Sequence, residues 1–226
     1  MIITIDGSVA TGKSTVAKNV AHALGFIFFD TGAMYRSLTY ALMKHDVPLN
    51  DPEKLQKFLD GFEFDMKVRK GEKKYFVDGE DVTDVIRDEE VTSKVSEVAA
   101  IPQVREKLVS IQRELALGVN AVFEGRDMGT VVFPDADLKI FLTGRPEVRA
   151  ERRMKELKEK FPEASDKLTF EKVLEEINRR DHYDSTRETS PLKQADDAHI
   201  IDTSDLSPEE VVYRVLECKD RQKRKT

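Results

Sequence analysis

Gly7-Ser8-Val9-Ala10-Thr11-Gly12-Lys13-Ser14 decides how the rest of this 226-residue chain is read. The run fits G-x-x-x-x-G-K-[ST] at every position. It follows the apolar stretch Ile2-Ile3-Thr4-Ile5-Asp6 and precedes Val16, Val20 and Leu24, spaced by four as on one helix face. Glycines let the backbone curl so that successive N–H groups point inward and make an anion nest. A helix starting there adds the positive end of its dipole. Lys13 supplies a charge for the β- and γ-phosphates from a loop mouth expected to be open to solvent, and the Ser14 hydroxyl is placed for Mg²⁺. Gly7, Ser8, Val9, Ala10, Thr11, Gly12, Lys13, Ser14 and Thr15 are therefore the expected ATP site.

Outward from this loop, short apolar runs alternate with longer helical patterns, which implies βαβ units and a mostly parallel sheet. Core strands are expected at 2–6, 26–30, 121–124, 138–142 and 199–202. Near the end Val211, Val212, Val215 and Leu216 form a helical stripe, with Ser207 as cap and Pro208 as first helical residue. Two stretches break the rhythm. Phe62, Phe64, Met66 and Val68, then Tyr75 and Val77, alternate around a turn at Gly71, which predicts a small antiparallel insertion. From 147 to 187 the chain is helical, heavily charged and interrupted near Pro162. So few large apolar residues predict little burial, low local stability and a moving lid. The basic end from Arg221 to Lys225 reads as a fraying helix terminus.

Composition narrows the function. The chain is 39% hydrophobic and 35% charged with net charge −6, which opposes general nucleic-acid binding, since that needs a basic field over a whole face. Cys218 is the single cysteine, so no intrachain disulfide can form and a reducing compartment is expected. No apolar run approaches a membrane span, and the first residues read as a strand rather than a leader. A cytoplasmic protein is the expectation.

A GTPase switch is the main rival, but neither N-K-x-D nor D-x-x-G occurs in the sequence. A nucleotide-binding regulatory module is the other rival, and it would not need the second anion site that the chain offers. Asp30-Thr31-Gly32-Ala33-Met34-Tyr35-Arg36 follows the second strand and opens a helix, which predicts a second anion cradle with a hydroxyl and an arginine. Glu124-Gly125-Arg126-Asp127 ends the third strand at the same sheet edge, placing a carboxylate for metal-bound water and an arginine for phosphate. Arg180, Asp184 and Arg187 recur at i, i+4 and i+7 as one helical stripe, unless Arg180 and Asp184 merely pair with each other. Arg149 and Arg153 are like charges one turn apart, a penalty that an anion held between them would remove.

DTGAMYR (30–36), GRDMGTVVFPDA (125–136) and SPLKQADDA (190–198) together resemble the bacterial cytidylate kinases over nearly the whole chain. The resemblance implies an α/β fold: a P-loop kinase core with a five-stranded parallel sheet flanked by helices. It also implies a small inserted monophosphate-binding subdomain, approximately 61–100, and a helical lid, approximately 147–190, in a single domain spanning 1–226. It implies transfer of the γ-phosphate of ATP to CMP and dCMP, with Mg²⁺ held directly by Ser14 and through water by Glu124. Lys13, Arg126 and Arg180 would be catalytic. Thr31, Tyr35, Arg36, Ser96, Arg105, Arg126, Asp127, Arg180, Asp184 and Arg187 would bind CMP. Among these, Ser96, Arg105 and Asp127 would read the cytosine edge, Arg36, Arg126 and Arg180 hold the phosphate, and Asp184 with Arg180 hold the sugar. Arg187 would face the phosphates or the base, and Arg149 and Arg153 would serve in the lid. A monomer is expected, with no nucleic-acid or membrane partner. The chain departs from the family at its P-loop, where Pro is usual after the first glycine, and at Glu124, where Asp is usual.

Overall fold

A computed structural model of the chain describes residues 1–69, 72–160, 162 and 168–223. In order, the elements are β1 (Ile2–Gly7), α1 (Lys13–Leu24), β2 (Ile27–Asp30), α2 (Thr31–Lys44), α3 (Pro52–Gly61), β3 (Phe64–Arg69), β4 (Glu72–Val77) and β5 (Glu80–Asp81). They continue with α4 (Glu89–Val98), α5 (Pro102–Leu115), β6 (Ala121–Gly125), β7 (Leu138–Thr143), α6 (Pro146–Lys160), α7 (Phe170–Thr186), β8 (His199–Asp202) and α8 (Pro208–Lys223). The chain divides into two compact units, one of Met1–Phe29 with Ala116–Thr226 and one of Asp30–Leu115.

The first unit is built on a five-stranded parallel sheet in the order β2-β6-β1-β7-β8. The central strand β1 is buried from Ile3 to Gly7, as a strand covered on both faces must be. Ile3 and Ile5 pack with Val16, Val20, Leu138, Ile140, Leu142, Val211 and Val215 in the core beneath α1 and α8. Phe123 stacks on Phe29 with ring centroids 4.5 Å apart. Ser207 and Glu210 close a reciprocal capping box at the start of α8, each side chain taking the other residue's N–H, as the Ser–Pro signal implied. The connection leaving β1 leads to β2 on one side of it, and the connection leaving β6 leads to β7 on the other. The carboxyl end of β1 is thus a switch point, where the loops after β1 and β6 lie together.

The helical stretch expected to bury little has its own core. Ala150, Met154 and Leu157 line one face of α6, and Phe170, Val173, Leu174 and Ile177 line one face of α7. Val173 and Ile177 are fully buried. The residues are few, but spacings of three and four put all of them on the facing sides. The interruption expected near Pro162 falls largely outside the described residues.

The second unit has its own apolar core, in which Leu38 of α2, Leu55 and Leu59 of α3, Ile86, and Val104 and Leu108 of α5 are buried. Its sheet is antiparallel in the order β3-β4-β5. Asp78 and Gly79, at φ 49° and 81°, make the two-residue β4–β5 turn, the left-handed pair such a hairpin requires. The β3–β4 turn expected at Gly71 lies outside the described residues, as do residues 224 and 225 of the basic end. Ile111 and Leu115 of the α5 stripe are half-buried against this core, and the helix stops before Leu117, which is exposed.

Candidate active site

The P-loop owes its shape to three backbone positions. At Gly7, φ 151°, a Cβ would be driven into the Leu142 carbonyl of β7, whose carbon would stand at 3.1 Å. Gly12 and Ala10 have left-handed φ of 84° and 58°. Gly12 caps α1 with no side-chain hydrogen bond, so the cap residue itself does not compete for the first-turn N–H groups.

Lys13 does not lie in an open mouth. It is buried and folded over its own loop, donating from Nζ to the Ser8 carbonyl at 2.5 Å and to Thr11 Oγ1 at 3.5 Å. Burial pulls its pKa down to about 7, reinforced by the Arg126 and Arg180 charges and opposed by Glu124 and Asp184. Burial beside two guanidiniums is an electrostatic setting that a phosphate chain would relieve.

Glu124, the penultimate residue of β6, accepts the Ser14 hydroxyl proton at Oε1 over 2.5 Å. A hydroxyl oxygen and a carboxylate oxygen so close together fit a shared Mg²⁺ environment. Among the described residues no group of three or more His, Cys, Asp or Glu could cage a metal. The donor set thus suits Mg²⁺ arriving with phosphates and water better than a dedicated protein-only site.

Arg126 donates from Nε to Asp184 Oδ2 at 2.9 Å. Asp184 is thus a partner of Arg126, and the Arg180 charge is felt at Lys13. Arg187 stands at the very end of the helical stripe, its N–H still bonded to the Tyr183 carbonyl. Helix α7 stops at Thr186, and Arg187 is extended (φ −60°, ψ 142°), its side chain donating twice to the Ser190 carbonyl and standing 4.0 Å from Asp127 Oδ1. Leu192 N–H bonds the Asp184 carbonyl, so the chain folds back onto the end of α7 after Arg187.

Arg149 and Arg153 do not face each other across an open anion site. Arg149 is buried and donates to the Gly144 carbonyl (2.9 Å), the Val9 carbonyl (3.0 Å) and the Asp181 carboxylate (2.6 Å), while Arg153 pairs with Glu156 at 3.0 Å. Each guanidinium relieves the like-charge contact with a carboxylate of its own.

The second unit holds Thr31, Tyr35, Arg36, Ser96 and Arg105. The N-terminus of α2 is not a bare anion cradle, because Asp30 is its N-cap, accepting the Ala33 N–H at 2.8 Å and pairing with Arg36 at 3.2 Å. A short carboxylate one residue before the helix reaches back to the third amide, the usual capping geometry. Thr31 and Tyr35 are buried in α2. Arg105 is buried, with Nη1 3.3 Å from the Ala99 carbonyl and its guanidinium 5.6 Å from the Tyr35 ring centroid. Ser96 is half-buried on α4.

Residues 3–221 match the sequence profile of the family described as cytidylate kinase. The chain belongs to the cytidylate kinase family. A cytidylate kinase of Protochlamydia amoebophila (strain UWE25) is 66% identical over 225 residues, covering all of this chain and 99% of its own. One from Caldanaerobacter subterraneus subsp. tengcongensis is 49% identical over 215 residues, 95% of this chain and 92% of its own. Among solved structures, shikimate kinase from Bacteroides thetaiotaomicron superposes with TM-score 0.50 at 15% identity, covering 97% of this chain and 98% of its own. An uncharacterized protein from Eubacterium ventriosum gives 0.53 at 15%, covering 98% of both. These two likenesses carry the fold alone.

In this member of the cytidylate kinase family the site has two carboxylates that the sequence reading passed over. Asp6, the last residue of β1 before the P-loop glycine, is buried and takes the Met128 and Gly129 N–H groups at 2.9 and 2.8 Å. Burial pushes its pKa up to about 7, against the pull of those two amides. It thereby fixes the five-residue π-turn Met128–Val132 that follows Arg126 and Asp127. The signal was an acid closing an otherwise apolar strand. Asp181 is the second, and an Asp on a helix already full of charge carries no signal at all.

Proposed function

We infer that the protein transfers the γ-phosphate of ATP to CMP, and to dCMP, yielding ADP with CDP or dCDP. The observation carrying this reading is the 66% identity to a cytidylate kinase along the entire chain, which spans the donor loop and the second unit alike. We propose a cytoplasmic monomer; no described helix is long and apolar enough to cross a membrane. The segment 61–100 is assigned as the monophosphate-binding subdomain and the α6–α7 hairpin as the lid.

The chemistry needs no general base. A phosphate monoester has its second pKa near ~6, so CMP carries an ionised oxygen that attacks the γ-phosphorus in line while the bridging oxygen leaves with ADP. The protein therefore contributes alignment and charge neutralisation. Lys13, with a polyphosphate beside it, regains a full positive charge. Arg126 and Arg180 hold the acceptor phosphate, with Asp184 keeping Arg126 in orientation. Arg36 is assigned to the same phosphate, and Asp184 with Arg180 to the sugar hydroxyls. Ser96, Arg105 and Asp127 are assigned to the cytosine edge, with Arg187 beside Asp127. Ser14 and Glu124 would hold Mg²⁺, which when bound with ATP neutralises charge on the β- and γ-oxygens.

The test is ADP production with CMP, dCMP, UMP and AMP offered in turn at fixed MgATP. CMP and dCMP are expected to give the highest kcat/KM. A preference for UMP or AMP would move the assignment within the monophosphate kinases, and no turnover with any acceptor would leave a binding module.

A further inference from the structure

The P-loop residue Val9 is gripped on both sides of its backbone by the α6–α7 hairpin. Its N–H donates to Asp181 Oδ1 at 3.2 Å, and its carbonyl accepts from Arg149 Nη1 at 3.0 Å. The same Nη1 lies 2.6 Å from Asp181 Oδ2, so a carboxylate from α7 and a guanidinium from α6 close around one residue. Arg149 is itself tethered through Nε to the Gly144 carbonyl at the root of α6. The side chains of Val9 and Ala10 pack against the apolar cluster of Ala150, Val173 and Ile177.

The residue after the grip is strained. Ala10 has φ 58°, a left-handed conformation that costs a residue with a Cβ and persists only where its surroundings hold it. That conformation is also useful, since left-handed residues in a turn make successive N–H groups converge on an anion. The grip and the strained residue are thus adjacent, and the hairpin adds two hydrogen bonds to those the loop makes within itself through Lys13 and Thr11.

We propose that Arg149 and Asp181 are positioning residues that hold Val9–Ala10 in the anion-binding curl, so that the lid hairpin and the donor loop act as one piece when ATP binds. This assigns Arg149 to the loop backbone rather than to substrate phosphate, and gives Asp181 a role in donor affinity. The inference uses the kinase reading only for its turnover assays; its binding assay needs ATP alone.

Asp181→Asn keeps an oxygen for the Val9 N–H and removes the charge facing Arg149. Arg149→Lys keeps the charge, but a single ammonium cannot reach the Gly144, Val9 and Asp181 oxygens together. Calorimetric titration with MgATP, without acceptor, is expected to show Kd raised about tenfold in each, the loss of one charge-assisted bond. KM for ATP should rise in parallel and KM for CMP change less than twofold. In an Ala10→Gly background, where the left-handed turn is free of strain, Asp181→Asn should weaken ATP binding by less than half as much on a logarithmic scale. A pair that merely staples α6 to α7 would lower the melting temperature with ATP Kd unchanged, or raise both KM values alike. Either result overturns the proposal, as does an Asp181→Asn effect undiminished by Ala10→Gly. Failure of the wild type to use CMP would overturn the kinase assignment while leaving the ATP titration interpretable.

Discussion

Replacing Gly7 by Ala puts a methyl group between β1 and β7. The added Cβ meets the Leu142 carbonyl group, with its carbon at 3.1 Å and Leu142 Cα at 3.3 Å. All of these atoms are backbone, so no side chain can swing away. Leu142 is also the parallel-ladder partner of Gly7, so relief requires the two strands to part. Forcing a φ of 151° on a residue with a Cβ costs about 1–3 kcal/mol, and overpacking a close interior contact costs about 1–3 kcal/mol. A lost ladder hydrogen bond costs about 1 kcal/mol. Together these predict a loss of about 3–7 kcal/mol, which for a chain of this size lowers Tm by roughly 6–28 °C. Gly12→Ala is the matched control. It too has a left-handed φ, 84°, but a Cβ there has nothing within 4 Å. It should cost about 1 kcal/mol in stability. Thermal unfolding followed by circular dichroism, with ATP titration at a temperature where both variants are folded, separates the two. If Gly7→Ala melts within 2 °C of Gly12→Ala, the strand contact is not what makes this glycine obligatory.

Three further outcomes follow from the site. Glu124→Gln removes the charge but not the oxygen facing Ser14. It should shift the Mg²⁺ titration of activity upward more than it raises KM for ATP, and an unchanged titration would leave Glu124 as a strand-end carboxylate. Asp127→Ala should cut kcat/KM for CMP strongly and for UMP little. Cytosine donates at position 4 where uracil presents a carbonyl, and an unpaired buried polar group is worth about 1–3 kcal/mol; equal losses would mean that Asp127 serves Arg187 instead. Asp6, raised from 3.8 to about 7 by burial, lets the folded chain bind one more proton than the unfolded chain between those values. Its contribution to stability is therefore full below the unfolded pKa and is lost as pH rises through 7. The loss is of order 4 kcal/mol, the 3.8-to-7 shift expressed as energy. Chemical denaturation from pH 4 to 7 should show a shallower fall for Asp6→Asn than for the wild type. Parallel curves would mean that Asp6 titrates normally.

The sequence by itself determined the P-loop and the fold class. The P-loop is a contiguous motif whose function lies in local backbone geometry, and the apolar strand before it and the four-residue spacing after it are periodicities legible one residue at a time. The ends of the five parallel strands came out within one residue for the same reason. Tertiary structure decided which charges find each other. Arg126, Arg180 and Arg187 look alike in a string. Only folding sends Asp184 to Arg126, bends Arg187 past the end of α7 and turns Arg149 onto Val9 and Asp181. It also decided the protonation behaviour of Lys13 and Asp6, since desolvation depends on what covers a group rather than on its neighbours in sequence. Long-range ion pairs and burial have no local signature, and for that reason the motif could be read before the structure while its wiring could not.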